Sequence, residues 1–325
     1  MAVVNIAQAA ALSQVSLARG IALSIVTVDN WIANLPFIQV SGGSYTYSRE
    51  TSTVGSAAFI APGGTSSQTQ AVFTRISEPL TRIEALAQVD NFAAIAQSDI
   101  NDQIAVTVAA KAKGMARLFQ QQCIVGNKGS GITQFNGLRN LIATAQRIDP
   151  SGTTSATTLS FALMDRMLAS ITAADGRIDF IVMNVKMINK LRALYRALGG
   201  TSTEHEVEIW VPDRMRPDRM RPLNVLGYAG VPIYRNDWCS LTETVNASDT
   251  ATTEIYSGQW EDITAPSLTG LAGLLPERLE QAFLVYPAEQ HNTIPEWLIR
   301  MEMYTGLALH SDKALTGLMN IDPNS

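Results

Sequence analysis

SDINDQIAVTVAAKAKGMARLFQQQCIV, residues 98–125, keeps one apolar face from end to end. Ile100, Ile104, Val108, Ala112, Met115 and Phe119 recur at the three-to-four-residue spacing that places side chains on one side of an α-helix. Ser98 reads as its N-cap, and Asp99 and Asp102 place negative charge in its first turn. Lys111, Lys113 and Arg117 load the later turns with positive charge, and Gly126 stands where a helix stop belongs. At 1.5 Å per residue the helix is ~42 Å long. Ordinary helices average ~11–12 residues. A compact chain of this length has a radius of gyration of ~20 Å. One helix therefore crosses most of the body, as a spine does.

The segments before the spine do not read as a self-sufficient core. Residues 1–34 are rich in alanine and helix-prone, and Ile21, Ile25, Val28 and Ile32 suggest a short amphipathic helix that Leu35-Pro36 ends. Phe37-Ile38-Gln39-Val40 reads as a strand and Gly42-Gly43 as a turn. Residues 44–50 alternate, with Tyr45 and Tyr47 on one face and Thr46 and Ser48 on the other. A Gly-, Ser- and Thr-rich stretch through Pro62-Gly63-Gly64 follows. Residues 71–76 then return as a second alternating strand. Two strands alone are marginal in water, and a long connection without its own core is functional or disordered. The excursion is either a mobile surface loop or a hairpin laid across a partner.

After the spine comes a Gly-rich turn at 126–137, then a short helix over 138–145. Residues 149–158 form a polar linker, a natural domain boundary. Beyond it the pattern is α/β-like: helix 159–173, buried strand 179–183, helix 185–198, and strands 206–211, 223–228 and 231–235. The polar segment 240–253 reads as a loop, and 283–286 and 298–309 as closing strands.

The totals bound the function. The chain has 325 residues and a formal charge of −5, long enough for two compact units and too acidic for the chain as a whole to be a nucleic-acid binder held by phosphate contacts. Cys123 and Cys239 lack any CxxC or zinc spacing and read as small buried residues. The longest apolar run, 21–28, is far short of a membrane span, and the N-terminus lacks a basic signal-peptide region. Gly126-Asn127-Lys128-Gly129-Ser130-Gly131 is not a phosphate loop, because it follows a helix and departs from the required spacing. In Glu204-His205-Glu206 a strand would point the imidazole away from both carboxylates, and His291 and His310 have no partner nearby in sequence. No metal site, cofactor site or catalytic constellation is predicted, so the chain reads as a non-enzyme.

One local feature stands out. Pro212-Asp213-Arg214-Met215-Arg216 is repeated at once as Pro217-Asp218-Arg219-Met220-Arg221, just after Glu204, Glu206 and Glu208. The aspartates can pair with their own arginines in a solvated loop. Alternatively the arginines face the glutamates of a neighbouring copy, a use to which the planar guanidinium fork is suited.

Several stretches, taken in order, resemble the major capsid proteins of tailed double-stranded-DNA phages. They are Leu35-Pro36-Phe37 with Gly42 and Tyr45-Thr46-Tyr47-Ser48-Arg49-Glu50; Phe135-Asn136-Gly137-Leu138; Phe180-Ile181-Val182-Met183-Asn184; residues 227–237, GYAGVPIYRND; and the final strand 301–309. The resemblance implies an α+β chain with the Hong Kong 97-type capsid fold. It comprises an N-terminal arm (1–36), an extended β-hairpin loop (37–80), a peripheral domain (81–150 and 284–325) with spine helix 98–125, and an axial domain (151–283). It further implies a virion shell subunit, assembled in the host bacterial cytoplasm into pentamers and hexamers around a genome held only loosely. Separate scaffolding, portal and possible decoration proteins would be partners, and the start at Met1 favours separate scaffolding over a trimmed segment. Candidate subunit-interface residues are Tyr45, Tyr47, Arg49, Glu50 and Arg75 on the loop, and Glu204, Glu206, Glu208, Arg214, Arg216, Arg219 and Arg221 on the axial unit. Some family members weld neighbours through an extended-loop lysine. Here the first lysine is Lys111, so the loop has no such donor. An encapsulin-like compartment shell and a soluble α/β hydrolase or transferase are the competing readings.

Overall fold

The computed structural model describes residues 30–52, 59, 64, 72–90, 100–129, 133–150, 156–173, 176–199, 206–212, 220–239, 252–264, 268–277, 283–287, 289–290 and 296–324. Most of the expected N-terminal arm, most of the hairpin tip, Ser98, Glu204, His205, residues 213–219, most of the loop 240–253 and His291 lie outside these residues.

The spine is present as a 26-residue helix, α2 (Ile100–Val125), preceded by a short helix, α1 (Asn30–Ala33). Val108, Ala112, Met115, Ala116, Phe119 and Cys123 are buried along one face of α2. That face packs on strand β4 (Thr81–Asp90) and on the 14-residue strand β14 (Glu296–Leu309). β4 answers with Ile83 and Ala87, and β14 with Ile299, Met301 and Met303, every second residue, as a pleated strand requires. The helix ends because the chain folds back tightly on itself. Gly126 N donates to Gln122 O and Gly137 N to Gly126 O. A Cβ at Gly126 would sit 2.4 Å from Gln122 O, and one at Gly137 2.5 Å from the same oxygen, so only glycine fits either place.

β14 organises a six-stranded sheet. It pairs antiparallel with β4 over residues 296–305, with β12 (Phe283–Val285), with β13 (Glu289–Gln290) and with β11 (Leu271–Pro276). β1 (Phe37–Val40) joins β11 in parallel. A second sheet of seven strands has the order β5-β15-β10-β6-β9-β8-β7. Its members are β5 (Arg147–Ile148), β15 (Leu315–Ile321), β10 (Thr253–Gly258), β6 (Phe180–Met183), β9 (Val231–Arg235), β8 (Met220–Tyr228) and β7 (Glu206–Pro212). The unbroken apolar run of β6 has a reason: the sheet is covered on both sides. Ile181 and Met183 face a core shared with α4 (Phe161–Thr172) and α5 (Val185–Ala197), whereas Phe180 and Val182 face the core that contains α2. Trp31 from α1 seals that second face, edge-on to Phe180 and 5.5 Å from Trp260. Both helices carry the N-caps their sequences call for: Ser160 accepts from Leu163 N, and Asn184 from Lys186 N.

The sheets redraw the expected division of the chain. β1 belongs to the six-stranded sheet, so residues 37–40 are body and not part of the extended loop. β11, expected in the axial unit, is a strand of the six-stranded sheet with β4 and β14, while β5 and β15, expected in the peripheral unit, lie in the seven-stranded sheet with β6. The cause is a switch between sheets at the short turn joining β14 to β15, which composition does not reveal. β10, expected at the edge of a polar loop, is a fully buried central strand. The expected helix over 138–145 is instead one turn, α3 (Leu138–Leu141), followed by a 3-10 turn at Thr144–Gln146. Cys123 and Cys239 are buried thiols, not joined in a disulfide. No helix among the described residues is long and apolar enough to cross a membrane.

Candidate assembly surface at the root of the hairpin

β2 (Ser44–Ser52) and β3 (Val72–Pro79) pair with each other in a two-stranded sheet separate from the other two. Their alternation gives the hairpin two faces. Tyr45, Tyr47 and Arg49 lie on the face turned to the body, and Thr46, Ser48 and Glu50 on the other. Glu50 is exposed opposite Phe73, and Arg75 is exposed opposite Ser48.

The structure brings three of the expected interface residues together on their own chain. Tyr47 Oη donates to Leu309 O at 2.6 Å. Arg49 Nε donates to His310 O at 3.0 Å, and its Nη2 donates to Leu309 O. Tyr45 and Tyr47 stack with centroids 5.4 Å apart, and both rings lie against the His310 imidazole. Tyr45 Oη is 3.1 Å from His310 Nε2. Burial pushes both phenols up, Tyr47 to about 12, with the nearby Arg49 pulling the other way; at Tyr45 the charge of Glu261 adds to burial.

His310 is the residue that the sequence did not single out. It is buried at the end of β14, with Nδ1 2.6 Å from the fully buried Glu261 Oε2 and 3.2 Å from Gly270 O. Two acceptors facing Nδ1 require that this nitrogen carry a proton. Nε2 is then free to accept from Tyr45 in the neutral imidazole or to donate to it in the imidazolium. Glu261 also accepts from the backbone N–H groups of Asp262, Thr269 and Gly270. The carboxylate therefore ties the loop 261–270, the end of β14 and the hairpin root into one unit. His310 and Glu261 are 49 residues apart, and no periodicity or motif links them.

A second clamp holds β3. Lys128, in the turn after the spine, donates from Nζ to Ser77 O at 2.6 Å and lies 3.9 Å from Glu78 Oε2. Asn136 Nδ2 reaches the same oxygen at 3.5 Å. Glu78 is 5% exposed, and burial raises its carboxyl above the ordinary value, with Lys128 opposing. A lysine from outside the loop thus holds the base of a hairpin in which the sequence places none.

Above these clamps the described residues of β3 are bare. Val72 is 54% and Phe73 65% exposed. In the seven-stranded sheet, Glu206 and Glu208 are exposed on β7, with register partners Leu226 and Asn224. Glu206 lines a cleft of about 270 Å³ with Arg192, Arg196 and Leu226 of its own chain. β7 and β8 form a hairpin in which Val211 pairs with Arg221, and Arg214, Arg216 and Arg219 lie outside the described residues. Among the described residues no group of three or more His, Cys, Asp or Glu side chains is placed to hold a metal ion.

A long helix across one sheet, a two-stranded hairpin beside it and a second sheet covered by helices define a class of α+β architecture. Solved structures give it its name: the chain has the Hong Kong 97-type fold. It superposes on the SrpI encapsulin of Synechococcus elongatus PCC 7942 with a TM-score of 0.64 at 16% identity, covering 91% of this chain and 88% of that one. The capsid of a native GTA particle gives 0.58 at 15% identity, over 92% and 90%. A chain of Mycobacterium phage Bobi gives 0.55 at 12% identity, over 89% and 88%. No family model matches the sequence, and no curated protein is similar to it.

Proposed function

We propose that this chain is the major capsid subunit of a tailed double-stranded-DNA phage, assembling with copies of itself into the pentamers and hexamers of a closed icosahedral shell. The observation that carries the reading is the hairpin. It is fixed to its own chain at the root by Tyr45, Tyr47, Arg49 and Lys128, and bare beyond, where Val72 and Phe73 face solvent. A two-stranded element with only its root packed is marginal alone. A shell of identical subunits joined by heterologous contacts supplies a neighbour for every such element. Glu50 and Arg75 lie on the hairpin face turned away from the body, suited to meeting that neighbour. In the axial unit, Glu204, Glu206 and Glu208 would meet the repeated Arg214, Arg216, Arg219 and Arg221 of the next copy around a symmetry axis. The shell belongs to the virion and forms in the host bacterial cytoplasm, with separate scaffolding and portal proteins, a possible decoration protein, and no catalytic role.

Light scattering and electron microscopy of the purified chain test the reading. Closed shells of uniform size are expected, and a stable monomer that no scaffold converts would overturn it. The likeness to the SrpI encapsulin, at a TM-score of 0.64, supports a second reading, a bacterial compartment shell. Shells isolated from the native source that hold a protein cargo and no genome would favour it.

A further inference from the structure

Between Asp102 and Asp149 the chain carries Lys111, Lys113, Arg117, Lys128, Arg139 and Arg147 and no Asp or Glu, within a protein of net charge −5. The last three are engaged within the subunit: Lys128 with Glu78, Arg139 with Glu254, and Arg147 with the carbonyl of Arg139. Lys111, Lys113 and Arg117 are all exposed on α2, and among the described residues no carboxylate lies within ion-pair distance of them. Lys113 and Arg117 stand one helical turn apart, with charges about 6 Å apart along the helix. Ala109, Ala110 and Gly114 lie beside them, and a Cβ added at Gly114 would meet nothing within 4 Å. The face is open, and its small residues let a partner come close to the helix.

The other side of the same layer is different. Arg82 and Arg300 project from the sheet face turned away from α2, and each is matched: Arg82 with Glu84 and Glu302, and Arg300 with Glu302. On that face both arginines have a counter-charge, whereas among the described residues the three cations of the helix side have none.

We infer that the open face of α2, through Lys111, Lys113 and Arg117, is a sequence-blind contact for the phosphates of packaged nucleic acid, and hence that α2 faces the shell interior. The inference rests on the shell reading. A duplex carries a negative charge about every 1.7 Å along its axis, so phosphates are within reach wherever it lies against the helix. A protein partner fits less well, because the cores of protein interfaces are enriched in aromatic residues and depleted of lysine. This face offers two lysines, an arginine, small residues and the half-exposed Leu118. Three cations on an acidic subunit make a weak contact, which lets a genome be packed and later released.

The test compares the full chain with K111Q/K113Q/R117Q and with the charge-preserving K111R/K113R/R117K. Binding of a short random-sequence DNA duplex is measured by fluorescence anisotropy over a range of salt concentrations. The expected result is weak binding by the native chain, with a salt slope that flattens by up to about 0.9 for each cation lost in the Gln variant. The charge-preserving variant keeps the native slope. Equal slopes for the native and Gln chains would overturn the inference. So would a poly-glutamate peptide binding the face as tightly as the duplex, which would point to an acidic protein partner. Electron microscopy of the same preparations separates the two ideas. Closed shells from every variant alongside unchanged DNA binding reject the α2 contact alone, whereas a native chain that forms no shells with or without a scaffold rejects the shell reading.

Discussion

His310 Nδ1 lies 2.6 Å from Glu261 Oε2, and the two side chains, 4% and 0% exposed, sit directly beneath Tyr45 and Tyr47 of the hairpin. The extended element that most needs a neighbour is thus seated on one of the most deeply buried polar pairs described in its own subunit. Removing His310 takes one donor from the buried Glu261, which keeps its three backbone N–H donors. His310→Ala should therefore destabilise the subunit by about 1–3 kcal/mol, read as a lower urea midpoint. It should also raise hydrogen exchange in β2 and β3, because Tyr45 loses its partner. His310→Gln, which keeps a side-chain amide near both contacts, should recover part of the loss. A His310→Ala chain with the native midpoint would show that the pair does not hold the root.

The hairpin root should also respond to alkali. Burial raises Tyr47 from 10 to about 12 and raises Tyr45 in the same direction. Both phenols are held neutral by the fold, so their contribution is fully present below pH 10 and is lost as the pH climbs from 10 towards 12. Tyrosinate absorbance should show a late-titrating class that Tyr47→Phe diminishes, and loosening of the hairpin should accompany that late phase.

How much of this was legible in the sequence depended on whether the signal was local. The spine could be read because Val108, Ala112, Met115 and Phe119 repeat at helical spacing. The hairpin could be read because Tyr45 and Tyr47 alternate with Thr46 and Ser48. β10 could not. Its Thr253, Glu254 and Ser257 are polar yet buried, and Glu254 is tolerated because Tyr256 donates to it and Arg139, 115 residues away, reaches it with Nη2 at 2.9 Å. The sheet switch was equally hidden, since a five-residue turn between two apolar strands looks the same whether it closes a hairpin or passes to another sheet. Tyr45, Tyr47 and Arg49 were singled out as residues for contacting a neighbour, and the structure gives each a partner within the chain. The His310 and Glu261 pair left no local trace.

Deleting residues 55–70 should separate folding from assembly. The deletion spares Tyr45, Tyr47, Arg49 and the register from Ser44 to Glu50, so the subunit should remain soluble with a native circular dichroism spectrum. Closed shells should be absent, because the part of the hairpin that reaches a neighbour is gone. Shells of normal diameter from the deletion chain would show that assembly does not use the loop.

Mature particles should run as single chains on denaturing gels. The hairpin between Ser44 and Pro79 has no lysine, and the lysine that touches it, Lys128, is already engaged with Ser77 O and Glu78 of its own subunit. Ladders that survive boiling and reduction would reveal a cross-link through some other residue.

The repeated Pro-Asp-Arg-Met-Arg segment gives the last prediction. It joins β7 to β8, whose outer residues include the exposed Glu206 and Glu208. Glu206 shares a cleft with Arg192 and Arg196 of its own chain, so its charge is partly answered at home; Glu208 lies further along the strand towards the repeat. Around a five-fold or six-fold axis the contacts are heterologous, and one subunit's arginines would meet the next subunit's glutamates. Each exposed pair is worth only about 0–1 kcal/mol and is screened by salt, but a ring repeats it at every subunit. Replacing Arg214, Arg216, Arg219 and Arg221 with Gln should leave the subunit folded. It should also shift the salt dependence of assembly, with aberrant shells or fewer closed ones at low salt, where native pairing is strongest. Adding Glu208→Gln to the quadruple variant should then change little further, because the partner charge is already gone. Assembly of the quadruple variant identical to the native chain at low and high salt would show that the arginines serve only their own loop, paired with Asp213 and Asp218.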